Sequence, residues 1–220
     1  RDSWGAALAA GAQAYRLFGS GPQAEASAVF ATQRLVGIFR ARTNEINCME
    51  ITDLNIQEGK GALKFILKGG PIGCFRHAAG YAKEVRSGID AAFSEDRFES
   101  LSQPVSCAAM VAKKMGASDL HAVMAAGFAG GIGLSGGGCG ALGANIWIRS
   151  MSQPAEMDGF SFSNTWIGEV IEKYLESSDY EFECVNVVGR MFEDVADHAN
   201  YLHQGGCSKI IETLAEINFS

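Results

Sequence analysis

The chain has 220 residues, 47% hydrophobic and 20% charged, with a formal net charge of −7, which fits a folded globular protein and excludes disordered or low-complexity classes. Its longest run of cations is Lys113-Lys114, and phosphate-backbone affinity comes from clustered Lys and Arg, so a DNA or RNA role is excluded. Its least polar stretch, Ala122 to Leu134, is 13 residues long and rich in Gly and Ala, so no membrane span is expected.

The chain opens on Arg1 and an Ala-rich segment, without an initiator Met. A processed mature protein reads this way, which points to the periplasm, with the cytoplasm as the other address. The segment Ala6 to Phe18 predicts a helix stopped by Gly19-Ser20-Gly21-Pro22. A second helix begins near Gln23 and carries Ala24, Ala26, Val29, Phe30, Leu35 and Phe39 at helical spacing. Ile51 to Leu67 offers apolar Leu63, Ile66 and Leu67 before the stop Gly69-Gly70-Pro71; Cys74 follows, and Phe75 to Ile89 predicts another helix.

Ser102-Gln103-Pro104 marks a boundary, since Ser caps helices and Pro suits a first turn, and it places Cys107 in the first turn of a helix ending near Met115-Gly116. Ser118-Asp119 then caps a helix from Leu120 to about Phe128. In Gly127 to Gly143, nine of 17 residues are Gly, and a helix is predicted from Gly140 through Ile148. A loop from Gln153-Pro154 with Gly159, Phe160 and Phe162 leads into Thr165 to Glu176, where Trp166, Val170, Ile171 and Tyr174 share one face. Tyr180 to Ile217 gives two more helical patterns, separated by Gly205-Gly206.

Strand signals are sparse, so the expected fold is all-α, a compact multi-helix bundle with a partial internal repeat. Residues 1–100 form an N-terminal helical region holding Cys48 and Cys74, and residues 101–220 a helical redox region, together one compact body. The repeat rests on cysteine spacing. Cys48 precedes Cys74 by 26 residues and Cys184 precedes Cys207 by 23, and Gly69-Gly70 and Gly205-Gly206 stand before the later members.

Six cysteines exceed what a generic core needs, yet no pair stands as CxxC. This excludes a thioredoxin-type site, a zinc ribbon and a c-type haem, which needs CxxCH. The run Gly136-Gly137-Gly138-Cys139-Gly140-Ala141 implies a thiol in a tight turn, with Gly138 and Gly140 leaving N–H groups free to face a bound group. A helix starting at Gly140 favours the Cys139 thiolate and lowers its pKa, which suits a nucleophile and a metal ligand equally. The plainer alternative is that the glycines serve close packing and Cys139 fills the core. The run lacks a Walker A ending, and no strand precedes it, so a nucleotide site is not expected.

His77 lies three residues after Cys74 and His203 four before Cys207, spacings that allow a shared metal; His121 and His198 are more ordinary. The acidic groups Glu193, Asp194 and Asp197, and Glu181 and Glu183, read as solvated surface, because a di-iron site needs two Glu-x-x-His motifs.

Cys107, the run Gly127 to Gly136, Cys139-Gly140-Ala141-Leu142, Cys184 and Cys207 together resemble the redox-active family named for its C…CGAxxG…C…C pattern. The resemblance covers Cys107 to about Glu216, and the last motif glycine falls on Ala144, with Gly143 one position earlier. The family includes split-Soret cytochrome c, to which Leu67 to Ala79 is also similar. The resemblance implies a helical fold, a second copy of the chain as partner, and an iron–sulfur cluster on Cys107, Cys139, Cys184 and Cys207. Cys48 and Cys74 then form a second pair, either ligating or disulfide-bonded. Without CxxCH motifs the haems do not carry over.

The leading expectation is an electron-transfer protein serving an unidentified redox partner protein. The alternatives are a metal-free thiol–disulfide protein and a helical protein holding Zn or Cu without turnover.

Overall fold

The computed structural model describes residues 2–56, 58–94, 102, 104–152 and 165–217. The loop expected around Gln153-Pro154, Gly159, Phe160 and Phe162 lies outside them. Twelve helices fill the described residues, and their β structure is limited to one isolated bridge, so the fold is all-α.

Helix α1 (Asp2–Phe18) packs along α2 (Pro22–Thr43) and α7 (Asp119–Ala126). Its buried face is made of Ala6, Ala7, Ala10 and Ala14, small enough to let neighbouring backbones approach closely. A Cβ on Gly11 would come within 2.5 Å of the Met124 Cα, so α1 and α7 meet backbone to backbone there.

Two short helices, α3 (Cys48–Thr52) and α4 (Gly59–Leu67), lead into α5 (Gly70–Phe93), which packs on α1 and α2. Gly69 takes φ 71°, and Pro71 sits in the first turn of α5, so Cys74 lies inside that helix rather than ahead of it. The expected start at Phe75 is thus corrected by a full turn, because the Gly–Pro pair that stops α4 also starts α5.

Helix α6 (Cys107–Lys114) is capped by Ser106, whose Oγ accepts from the Ala109 N–H at 3.2 Å and donates to the Ala126 carbonyl at 3.0 Å. The cap is therefore Ser106, and Pro104 lies outside the helix. Ser118 caps α7 by accepting from the His121 N–H, and α8 (Gly140–Ser152) follows the glycine-rich loop. Buried Asn145 on α8 donates to the Leu214 carbonyl at 2.6 Å, tying α8 to the last helix. The chain closes with α9 (Thr165–Ser177), α10 (Cys184–Val188), α11 (Val195–His203) and α12 (Ser208–Glu216), three helices after Tyr180 where two were expected. On α9, Val170 and Tyr174 are buried, as the shared face predicts.

The repeat extends to the backbone. Helices α3 and α10 are each five residues long and start on a cysteine; α4 and α11 are each nine residues long, and both lie 136 positions after their counterparts. Asp53 and Gly189 end the short helices in the left-handed region, at φ 51° and 78°. Lys68 and Gln204 end the longer ones at nearly equal angles (φ −80°, ψ 4° and φ −83°, ψ 7°), followed by left-handed Gly69 and Gly205. Helix α5 packs on α2 and α1 as α12 packs on α9 and α8. The two regions share their cores: Ala7 and Val36 pack in one cluster with Ala108, Ala122 and Phe128.

Candidate metal centre

The glycine-rich loop carries five consecutive residues of positive φ, Gly130 to Leu134, at 62°, 76°, 69°, 56° and 59°. L-residues resist this conformation, so Ile132 and Leu134 hold local strain that their surroundings must fix. The fixing is visible in backbone bonds: Ile132 N–H to Phe128 O (2.9 Å), Gly133 N–H to Gly127 O (2.9 Å) and Gly136 N–H to Gly130 O (2.9 Å). Sterics reinforce it, since a Cβ on Gly131 would stand 2.4 Å from the Gly137 carbonyl oxygen.

This loop delivers Cys139 to the segment carrying Cys184. Gly138 bridges Glu183 in an antiparallel pairing. The Cys139 N–H donates to Phe182 O at 3.2 Å, the Cys184 N–H to Gly137 O at 2.7 Å, and the Val185 N–H to Gly136 O at 3.0 Å. Gly140 lies so close to Phe128 that a Cβ would come within 1.8 Å of its carbonyl oxygen. Gly140 thus serves close backbone approach, whereas a Cβ on Gly138 would meet only the Phe182 ring, at 3.1 Å.

Cys107 is buried in the largest apolar cluster, beside Val105, Val111, Leu134 and Tyr174, and Cys139, Cys184 and Cys207 pack against the same cluster half-buried. Burial pushes the Cys107 thiol well above its ordinary pKa, and the neighbouring Cys139, Cys207 and Cys184 push it further, while the Gly130 N–H draws it down. Cys184 is pushed up to about 12 by burial, then by Cys139 and Cys207, and Cys207 to about 11 by burial, then by Cys139. The four thiols from four separate segments therefore lie within each other's electrostatic reach.

Cys139 departs from expectation in one respect. The N–H groups of Leu142 and Ala141 at the start of α8 do favour its thiolate, but burial outweighs them and the pKa is raised. Low dielectric costs the anion more than a helix terminus returns.

Two tyrosines complete the group, and spacing alone did not mark them for this task. The Tyr174 hydroxyl reaches both Phe182 O, to which it donates at 3.2 Å, and the Cys139 sulfur, and its single proton helps that thiol to ionise only by leaving the carbonyl. The Tyr201 hydroxyl helps Cys207 to ionise. Tyr174 was legible only as a buried face residue of α9; its polar tip, which needs a partner when buried, was the available signal.

Two of the histidines hold backbone carbonyls. His198 is buried, with Nδ1 3.0 Å from the Val105 carbonyl, which fixes the segment leading into Cys107. His203 Nε2 lies 3.3 Å from the Ser102 carbonyl, and His77 is exposed on α5. The acidic group beside them is likewise structural: Asp194 caps α11 through the Asp197 N–H (2.8 Å), and Asp197 pairs with Arg190 at 2.7 and 2.8 Å.

All six cysteines are free thiols, and Cys48 and Cys74 are exposed. Cys48 nevertheless lines a cleft of about 350 Å³ with Cys139, walled by Trp4, Ile132, Leu142 and Phe182. Trp4 also fills the space beside Gly143, where a Cβ would come within 2.0 Å of its ring.

Four thiols share one apolar core, with N–H and hydroxyl groups among their neighbours. Among the described residues no three His, Cys, Asp or Glu side chains are gathered as a site for a metal ion. No helix among them is long and apolar enough to cross a membrane. Comparison with known protein families, curated proteins and solved structures finds no match.

Proposed function

We propose that the protein is an iron–sulfur electron-transfer protein whose cluster is held by Cys107, Cys139, Cys184 and Cys207. The observation that carries this reading is the mutual electrostatic reach of four buried or half-buried thiols drawn from four segments. Crowded thiols in an apolar core repel one another as they ionise, and a cation among them relieves that repulsion.

When bound, such a cluster exchanges single electrons. The chain's own part is to supply thiolates, exclude water and tune the sulfurs through the N–H groups of Gly130, Ala141 and Leu142 and the hydroxyls of Tyr174 and Tyr201. A redox partner protein and a periplasmic address belong to the same reading.

A cysteine series tests it. Iron and acid-labile sulfide are measured on anaerobically reconstituted chain, for the wild type and for each Cys→Ser variant. Loss in C107S, C139S, C184S and C207S, with retention in C48S and C74S, is the expected result. Equal iron in all six variants sinks the assignment, and tight zinc or copper without sulfide moves it to a non-catalytic metal protein.

A further inference from the structure

The first repeat unit carries an apolar arm that its counterpart does not leave open. Leu63, Ile66 and Leu67 on α4 and Ile72 and Phe75 on α5 are 59%, 61%, 78%, 69% and 77% exposed. Phe65 alone turns inward, its ring filling the space beside Gly70. At the positions of α11 equivalent to Leu63 and Ile66, 136 residues on, Ala199 and Leu202 are 3% and 5% exposed, while His203, equivalent to Leu67, is exposed. There the segment before α6 lies across the helix: His198 meets the Val105 carbonyl, and Leu202 shares a cluster with Val105 and Cys107. Among the described residues no segment takes that place over α4. The repeat therefore marks this face as one built to be covered by polypeptide.

Charge selects the polypeptide. Exposed Glu45, Glu50, Asp53 and Glu58 precede the apolar run, and exposed Lys60, Lys64, Lys68 and Arg76 accompany and follow it. Among the described residues none of the eight forms an ion pair within the chain. An arm with acidic residues ahead of its apolar run and basic residues within and after it can pair acidic end to basic end when turned end for end.

We infer that the α3–α5 arm is a self-association surface, two copies packing α4 against α4 antiparallel about a two-fold axis near Leu63. Glu58 of one copy then faces Lys68 of the other, and Leu63, Ile66 and Leu67 of both copies form the buried centre. The inference is independent of the metal reading, because a metal-free chain associates through the same face.

Light scattering after size exclusion, at several concentrations of the full chain, tests it. A particle of twice the 23.4 kDa chain mass is expected. Ile66→Ser and Leu67→Ser, both at exposed positions, each raise the dissociation constant roughly tenfold, with helicity unchanged by circular dichroism. Glu58→Lys and Lys68→Glu each weaken association, and the two combined restore it. A monomer at every concentration, or a dimer indifferent to I66S and L67S, overturns the inference. So does a monomer that sediments with phosphatidylglycerol vesicles, which assigns the arm to a lipid surface. Failure of the combined charge swap to restore association overturns the antiparallel pairing.

Discussion

The Cys184 N–H donates to the Gly137 carbonyl at 2.7 Å, joining the glycine-rich loop to the start of α10 and setting two of the four candidate ligands side by side. That pairing depends on backbone approach that side chains would block. Gly140→Ala places a Cβ where the Phe128 carbonyl oxygen already stands and is expected to destabilise the protein by about 3 kcal/mol. Gly189→Ala, also at positive φ but in open space, costs about 1 kcal/mol. Chemical denaturation of the two variants checks the contrast, and equal losses contradict it.

Tyr174→Phe removes the hydroxyl that touches both Phe182 O and the Cys139 sulfur. The expected stability loss is about 1 kcal/mol, one hydrogen bond, with cluster loading retained. On the iron–sulfur reading the reduction potential falls, because a lost donor leaves the more negative reduced state less stabilised. An unchanged potential in a protein film or redox titration excludes Tyr174 as a tuning residue.

His198 makes stability depend on pH. Burial lowers its pKa to about 4 from an ordinary 6.5, against the pull of the Val105 carbonyl and Asp197. A depressed folded-state pKa means the unfolded chain takes up the proton first. The stabilisation is complete above pH 6.5, declines below it and is spent near pH 4, a loss of about 3 kcal/mol. Denaturation midpoints measured between pH 7.5 and 4 report it, and H198Q is expected to flatten that slope.

Lys113 pairs with Glu25, whose side chain is buried between α2 and α6. Lys113→Met leaves that carboxylate without this cation, at an expected cost of about 2 kcal/mol. Chemical denaturation of K113M checks this, and an unchanged midpoint contradicts it.

The fold was legible where helix punctuation is local. Gly19 to Pro22, Ser118 and the Gly69–Pro71 stop announce helix ends through dihedral and capping preferences of single residues. The first unit's α4 was harder to read, because its apolar residues do not line a core and its period carries no burial signal. The cysteine spacing pointed to a duplication, but only the backbone angles at Asp53, Gly189, Lys68 and Gln204 show how far it extends. Within the site, the glycines around Cys139 announced a tight turn. The net rise of its thiol pKa did not follow from sequence, since desolvation depends on helices distant along the chain. Gly130 and Tyr201 as sulfur donors were equally out of reach, being set by the path of a left-handed loop and by the seat of α11.

The most direct test of the central claim is the visible absorption of chain purified under strict anaerobiosis, before and after dithionite. An iron–sulfur protein gives a broad brown absorption that bleaches on reduction and returns on oxidation, and C139S lacks it. A colourless, metal-free protein whose thiols titrate reversibly into disulfides contradicts the account and assigns Cys139 to thiol–disulfide exchange.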